Sequence, residues 1–317
     1  ISQSTVSRAL SETGSHLISP ETRRRVEGAA RELEYSPNAV ARSLRRGRTD
    51  VIGFYSGYGS LDARIQFLSE IIGGLQIGCN AHRKHLLLHG DFAHRTAEQV
   101  HHELVSGQID GLILLTPPQD FLVEQLAKSH LPAVALVDAV PQLPSVVADE
   151  AQGAQLLAQH LAARGHRHVM YRGAKHGSES TVRRETCFIE EAQRHGIQTT
   201  LTRAQTHDDL LSDEEKSLLA QTGKNRPTAA VCWQDYSAHL LLHYCRENNI
   251  EVPGRIAVTG FNGFWQEAPT RWELTTIRAP WLQVAQRAVE ILMQKIEGES
   301  APLLTALPVE LLPGNST

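Results

Sequence analysis

The chain has few cysteines and spaces them widely: Cys79, Cys187, Cys232 and Cys245 form no Cys-x-x-Cys pair and no ligand spacing. That scatter fits reduced thiols packed as small hydrophobes in a cytoplasm. No apolar run approaches the roughly 18 residues of a membrane span. No charged segment followed by an apolar stretch opens the chain, so it reads without a secretory signal and as a cytoplasmic protein. A G-x-S-x-G elbow, an H-E-x-x-H pair and a P-loop are all missing. The loop GYGSLD supplies G-x-G without a third glycine. These absences point away from an enzyme and from any cofactor. Six histidines (His82, His85, His89, His94, His101, His102) crowd one region, but they straddle helix, loop and strand without cysteines, so no metal is expected. Lysine is missing from residues 1–48, which carry nine arginines and five glutamates, a net of +4, while the remainder carries −8. A basic head on an acidic body points to an anionic partner for the head alone; chance clustering of solvated charge is the alternative.

What is present divides into two styles. At 317 residues, 41% hydrophobic and 21% charged, the chain can build two or three ordinary cores. ISQSTVSRAL reads as a helix capped by Ser2, with Val6 and Leu10 on one face and Ser4, Ser7, Arg8 and Ser11 on the other. Small hydroxyls let such a helix lie close against a surface, and Arg8 can reach past them. SETGSHLISP is turn chemistry, with Gly14 available for a left-handed stop. Ser19 and Pro20 then start a second helix whose apolar stripe is Val26, Ala29, Ala30 and Leu33. NAVARSLRRG follows, helix-prone but too poor in apolar residues to pack alone. From residue 51 short apolar runs (VIGFYS, HLLLHG, GLILLTP, PAVALVD, SVVAD, HVMYRG, TAAVCW, RIAVTGF) alternate with helical stretches such as 62–83, 96–107, 119–129 and 150–164. Continuous apolar strands alternating with helices mean parallel sheets covered on both faces. Eight or more such units exceed one sheet, so two doubly wound subdomains are expected, with ligand chemistry at the carboxyl ends of the strands.

ISQSTVSRAL, ISPETRRRVEGAARELEYSPNAVARSLRRGRT and VIGF resemble the DNA-binding head, hinge and first strand of the lactose-repressor (LacI/GalR) family. IDGLIL, LPAVALVD, HLAARGHRHVMY, RPTAAVCWQD, VPGRIAVTGFNG and LTTIRAP continue the resemblance in order down the chain. The resemblance implies an α/β fold of two periplasmic-binding-protein-like subdomains, preceded by an all-α helix-turn-helix head. It assigns 1–36 to the head, 37–50 to a hinge helix and linker, 51–148 plus 280–297 to one subdomain and 149–279 plus 298–317 to the other. ISQSTVSRAL would be the recognition helix, the second of such a head, and the helix before it is missing; a truncated sequence is the expected reason.

By the same resemblance Gln3, Ser4 and Arg8 meet base edges in the major groove, and Thr5 and Ser7 sit on phosphates. Asn38, Arg42, Leu44 and Arg45 belong to the hinge; Leu44 would push between base pairs in the minor groove with its twin from a second subunit, which implies a homodimer on a near-palindromic operator. For the effector, the resemblance implies Phe67 as an aromatic flanking the ligand and Arg184 as a guanidinium holding it, while Asp138, Trp233, Asp235 and Asn262 fall at strand ends that face the cleft, with Ser180 a further candidate. Aromatic faces with forked polar groups suit a sugar. Asn262 stands where many members carry aspartate, and Ile65-Gln66 where Asn-Pro is common. The expected function is a ligand-responsive transcriptional regulator, a repressor, with double-stranded DNA and a carbohydrate as partners and no membrane. A sugar-binding protein without DNA-binding activity is the alternative.

Overall fold

The computed structural model describes residues 1–10, 17–35, 43, 46–59, 61–90, 94–175, 177–203, 210–223, 225–264 and 272–317, except the side chains of Gln3 and Ser7. Helix α1 (Gln3–Ala9) is capped by Ser2, whose hydroxyl accepts from the Thr5 N–H. Helix α2 (Pro20–Glu32) is capped by Ser19, which accepts from the Thr22 N–H, with Pro20 in the first turn. Ala9 and Val26 are the buried apolar residues of this pair. The expected stripe on α2 is covered only at Val26: Leu33 stands 78% exposed, because a seven-residue helix shields only part of its partner.

The body holds two six-stranded sheets. The first contains β1 (Val51–Ser56), β2 (His85–Leu88), β3 (Gly111–Leu115), β4 (Ala133–Leu136) and β5 (Ser145–Ala148). The second contains β6 (His168–Gly173), β7 (Gln198–Arg203), β8 (Ala229–Cys232), β9 (Ala257–Asn262) and β10 (Thr275–Arg278). Both run in the order second-first-third-fourth-fifth, a doubly wound arrangement whose winding reverses beside the first strand. The central strands β3, β4, β5, β8 and β9 are buried at every residue, which explains their unbroken apolar sequences.

Two strands near the C-terminus, β11 (Leu304–Leu307) and β12 (Glu310–Leu312), split between the sheets. β11 lies parallel to β5, pairing Leu304 with Ser145 and Leu307 with Ala148. β12 crosses over and runs antiparallel to β10. The expectation that 298–317 belongs wholly to the second subdomain is therefore corrected at 304–307. The physical reason is helix α10 (Trp281–Ile296), which packs on β3, β4 and β5 and delivers the chain beside the open edge of β5. α10 also packs on α3 (Gln66–Ala81). The approach is close enough that a Cβ on Gly74 would stand 2.3 Å from the Leu282 carbonyl oxygen. The remaining helices are α4 (Ala97–Leu104), α5 (Phe121–Lys128), α6 (Glu150–Ala163), α7 (Glu179–Arg194), α8 (Asp213–Ala220) and α9 (Asp235–Glu247). No described helix is long and apolar enough to cross a membrane.

Two polar clusters hold this framework. Where the chain enters β1, Asp110 Oδ1 accepts from the Thr49 N–H at 2.5 Å and the Thr49 hydroxyl at 2.8 Å, and Oδ2 accepts from the Asp50 N–H at 3.0 Å. Lys84 Nζ bridges Asp50 at 2.7 Å and Asp110 at 3.0 Å. Burial alone would depress Lys84, but the two carboxylates raise it; burial likewise opposes the donors that hold Asp110 below its ordinary value. In the second subdomain, fully buried Arg172 pairs with fully buried Glu215 at 2.9 Å. Glu215 also accepts from the Thr202 hydroxyl at 3.1 Å and from the Ser212 N–H at 2.7 Å, which pins the start of α8 to the sheet.

Candidate effector cleft and DNA-binding head

The carboxyl ends of the central strands bring four of the expected cleft residues into two direct contacts. Asp138 follows β4 and is wholly buried. Its Oδ1 accepts from the Ser180 N–H at 2.7 Å, at the start of α7 in the other subdomain. Its Oδ2 accepts from the Tyr58 hydroxyl, on the loop after β1. Burial pushes the Asp138 carboxyl above the usual carboxylate range, against these hydrogen bonds. One turn along α7 from Ser180, Arg184 is 5% exposed. It donates to the Trp233 carbonyl oxygen at 2.5 Å. Its guanidinium carbon sits 3.5 Å from the Phe261 ring centroid, a cation–π geometry. Burial lowers its pKa. Arg184 thus lies folded under the loop after β8, and its buried Nε has no hydrogen-bond partner among the described residues.

Phe67 and Asn262 meet the same third residue. Trp281, wholly buried at the start of α10, donates from Nε1 to Asn262 Oδ1 at 3.2 Å. Phe67 meets the Trp281 ring edge-on, with centroids 5.1 Å apart at 88°. Asn262 takes a φ of 116° at the end of β9, one of the few side chains that tolerate that region.

Asp235 stands as the first residue of α9, after an N-cap at Gln234. Both its oxygens are occupied inside the protein. Oδ1 accepts from the Thr276 hydroxyl at 2.5 Å and Oδ2 from the Phe264 N–H at 2.8 Å. Burial pushes its pKa up to about 7, against those donors. Gly260 allows this approach, since a Cβ there would fall 2.3 Å from Asp235 Oδ1. Asp235 therefore ties α9 to the loop after β9.

Four further side chains were missed in the sequence: Tyr58, Phe261, Trp281 and Glu150. Glu150 is 1% exposed. It accepts from Arg183 Nη2 at 2.7 Å and Nε at 3.1 Å, while its Oε1 is buried without a partner among the described residues. For Tyr58 and Glu150 a signal existed, because each stands two residues beyond a strand that the apolar pattern marks. No group of three histidine, cysteine or carboxylate side chains among the described residues is placed to hold a metal ion.

On the head, Arg8 is exposed and Thr5 half-buried. The hydroxyls of Ser4 and Thr5 lie 2.8 Å and 2.9 Å from that of Ser2. Arg23 is paired with Glu27 at 2.7 Å. Asn38, Arg42, Leu44 and Arg45 fall outside the described residues, as does Gly14.

Residues 158–317 match the family described as periplasmic binding protein-like domain, and residues 1–38 match that described as bacterial regulatory proteins, lacI family. The chain is 26% identical over 312 residues to the HTH-type transcriptional regulator GalS of Salmonella typhimurium, covering 94% of this chain and 87% of that protein. It is 27% identical over 310 residues to the HTH-type transcriptional repressor CytR of Escherichia coli K12, again covering 94% and 87%. Among solved structures, the lac repressor dimer bound to operator and the anti-inducer ONPF superposes with a TM-score of 0.82 at 24% identity, over 100% of this chain and 95% of that one. With its head, two wound sheets and cleft in this order, the chain belongs to the LacI/GalR family of bacterial regulatory proteins.

Proposed function

We propose that the protein is a cytoplasmic transcriptional repressor that binds a near-palindromic operator as a homodimer and senses a small molecule, a carbohydrate, in the cleft between its subdomains. The observation that carries this reading is the direct contact across the cleft: Asp138 of the first subdomain holds the Ser180 N–H of the second. A molecule bound there alters how the two lobes sit. The Thr49–Asp50 segment, through which the hinge reaches the body, is fastened to the first lobe by Asp110. Coupling of this kind amounts to about 1–3 kcal/mol between two sites.

At the DNA, Gln3, Ser4 and Arg8 read base edges while Thr5 and Ser7 hold phosphates. Asn38, Arg42 and Arg45 flank the Leu44 wedge, whose insertion costs a few kcal/mol that added contacts offset. In the cleft, Phe67 and Trp233 offer ring faces, and Arg184, Asn262, Asp138 and Ser180 offer polar groups. Asp235 supports that wall through Phe264. The test is a mobility-shift titration of the full chain on a randomised duplex pool, followed by melting curves with sugars and nucleosides. Sequence-selective retention is expected, with the logarithm of affinity falling by about 0.9 per neutralised phosphate against the logarithm of salt. Uniform binding of every sequence, or none at low salt, overturns the reading.

A further inference from the structure

Helix α7 starts without a cap of its own. Ser178 holds the N-cap position, yet its side chain makes no capping bond to the first turn. Its hydroxyl lies 2.7 Å from the Ser180 hydroxyl instead. The orphan N–H of Ser180 is taken by Asp138 from the opposite lobe, so closing the cleft completes a helix cap. The second oxygen of that carboxylate is also occupied, by Tyr58.

Tyr58 is built unlike a core residue. It is 45% exposed, whereas Asp138 is wholly buried; its hydroxyl reaches that buried carboxylate from a half-exposed ring. Gly57 and Gly59 flank it. Gly59 takes a φ of +102°, and a Cβ on Gly57 would stand 2.2 Å from Thr116 Oγ1, so both positions demand glycine. The loop is thus shaped to lay one phenol onto a carboxylate of its own lobe, the same carboxylate that caps the start of α7 in the other.

We propose that Tyr58 is a strap that occupies the effector cleft at rest, its hydroxyl holding the Asp138 oxygen that a hydroxyl or amine of the effector takes in the bound state. The inference rests on the reading of the cleft given above and sharpens it. The effector must bring a hydrogen-bond donor to Asp138. A ligand presenting only acceptors there, such as a carboxylate or phosphate oxygen, meets a buried carboxylate and is rejected. The strap lowers apparent affinity by the fraction of molecules in which it is closed.

Tyr58→Ala removes the ring and leaves its seat beside Asp138, so phenol itself is the probe. Calorimetric titration of the wild-type chain, Y58A and Y58A/D138A is expected to show phenol binding Y58A at least tenfold more tightly than the other two. Equal binding by all three, or none by Y58A, overturns the strap. Melting curves establish that each variant is folded. Should Y58A not fold, Y58F serves, with hydrogen exchange at the Ser180 amide expected at least fivefold faster than in the wild type; unchanged exchange overturns the proposal. Operator retention is measured on the same proteins. Lost phenol binding with retention intact refutes the strap alone, whereas a wild-type chain that retains no operator refutes the reading of the protein as a repressor.

Discussion

Removing the Asp110 carboxylate tests how the hinge is fastened to the body. Asp110 and Lys84 have side chains only 5% and 6% exposed, while Asp50 is 46% exposed. In Asp110→Ala the N–H groups of Thr49 and Asp50 and the Thr49 hydroxyl lose their acceptor, and Lys84 keeps only the exposed partner. A hydrogen bond to a charged group contributes about 1.5–3 kcal/mol, and breaking a buried ion pair costs about 3–5 kcal/mol. These overlap because the freed amides lie near the surface, so the expected loss is about 3–5 kcal/mol. Asp110→Asn keeps an acceptor for Thr49 and should lose less, about 1–2 kcal/mol. Urea unfolding gives the stability, and hydrogen exchange at residues 49 and 50 reports the anchor itself. Adding Lys84→Met to Asp110→Ala should recover part of the loss, since it removes the stranded ammonium. A loss below about 1 kcal/mol in Asp110→Ala, or strict additivity with Lys84→Met, refutes the account. Asp110 is held below its ordinary value of 3.8, so its contribution is present above that pH and fades as the pH falls through the lowered value.

Three other perturbations follow from the packing. Glu215→Ala strands the fully buried Arg172 charge and should cost about 3–5 kcal/mol in urea unfolding; a change under 1 kcal/mol contradicts the pairing. Gly74→Ala sets a methyl group 2.3 Å from the Leu282 carbonyl oxygen, and should cost about 1–3 kcal/mol by forcing α3 off α10. Gly73→Ala, with nothing within 4 Å of the added carbon, is the control and should not lower Tm. Burial lowers His239 from 6.5 to about 4. The unfolded chain therefore takes up that proton first, and stability present above pH 6.5 is lost as the pH falls toward 4. Because the ring is partly solvated, the loss is on the order of 1–2 kcal/mol. His239→Gln should flatten that part of the slope when urea midpoints are compared at neutral and acid pH; identical slopes refute the assignment.

The apolar runs were enough to place strands such as GLILL and AVAL, because a strand covered on both faces has no polar alternation to obscure it. They could not say which sheet the four residues of β11 join. That depends on where α10 sets the chain down, a matter of packing against α3 rather than of pattern. The strand-end rule found Asp138 and Trp233, and the family resemblance supplied Arg184. Neither found Tyr58, whose role comes from a partner 80 positions away, or Phe261, which reads as an ordinary core aromatic until Arg184 lies on it. Asp235 reads as a cleft-facing carboxylate in the sequence, yet two donors from the loop after β9 and from β10 consume it. Sequence spacing shows which side chains reach the cleft, but not which of them are already engaged within the protein.

The crossing of β11 back to the first sheet fixes when each lobe can mature during synthesis. Strand β5 ends at Ala148 and β11 at Leu307, so the lobe begun first stays open until almost the end of the chain. At about 5–20 residues per second the ribosome leaves it incomplete for roughly 10–30 s. During that interval the surface awaiting Val284, Val289 and Leu292 of α10, all wholly buried in the finished fold, stays bare. The second lobe meanwhile acquires all but its own last strand. A nascent chain halted before residue 281 therefore displays an open apolar face, the kind of surface that chaperones and proteases engage.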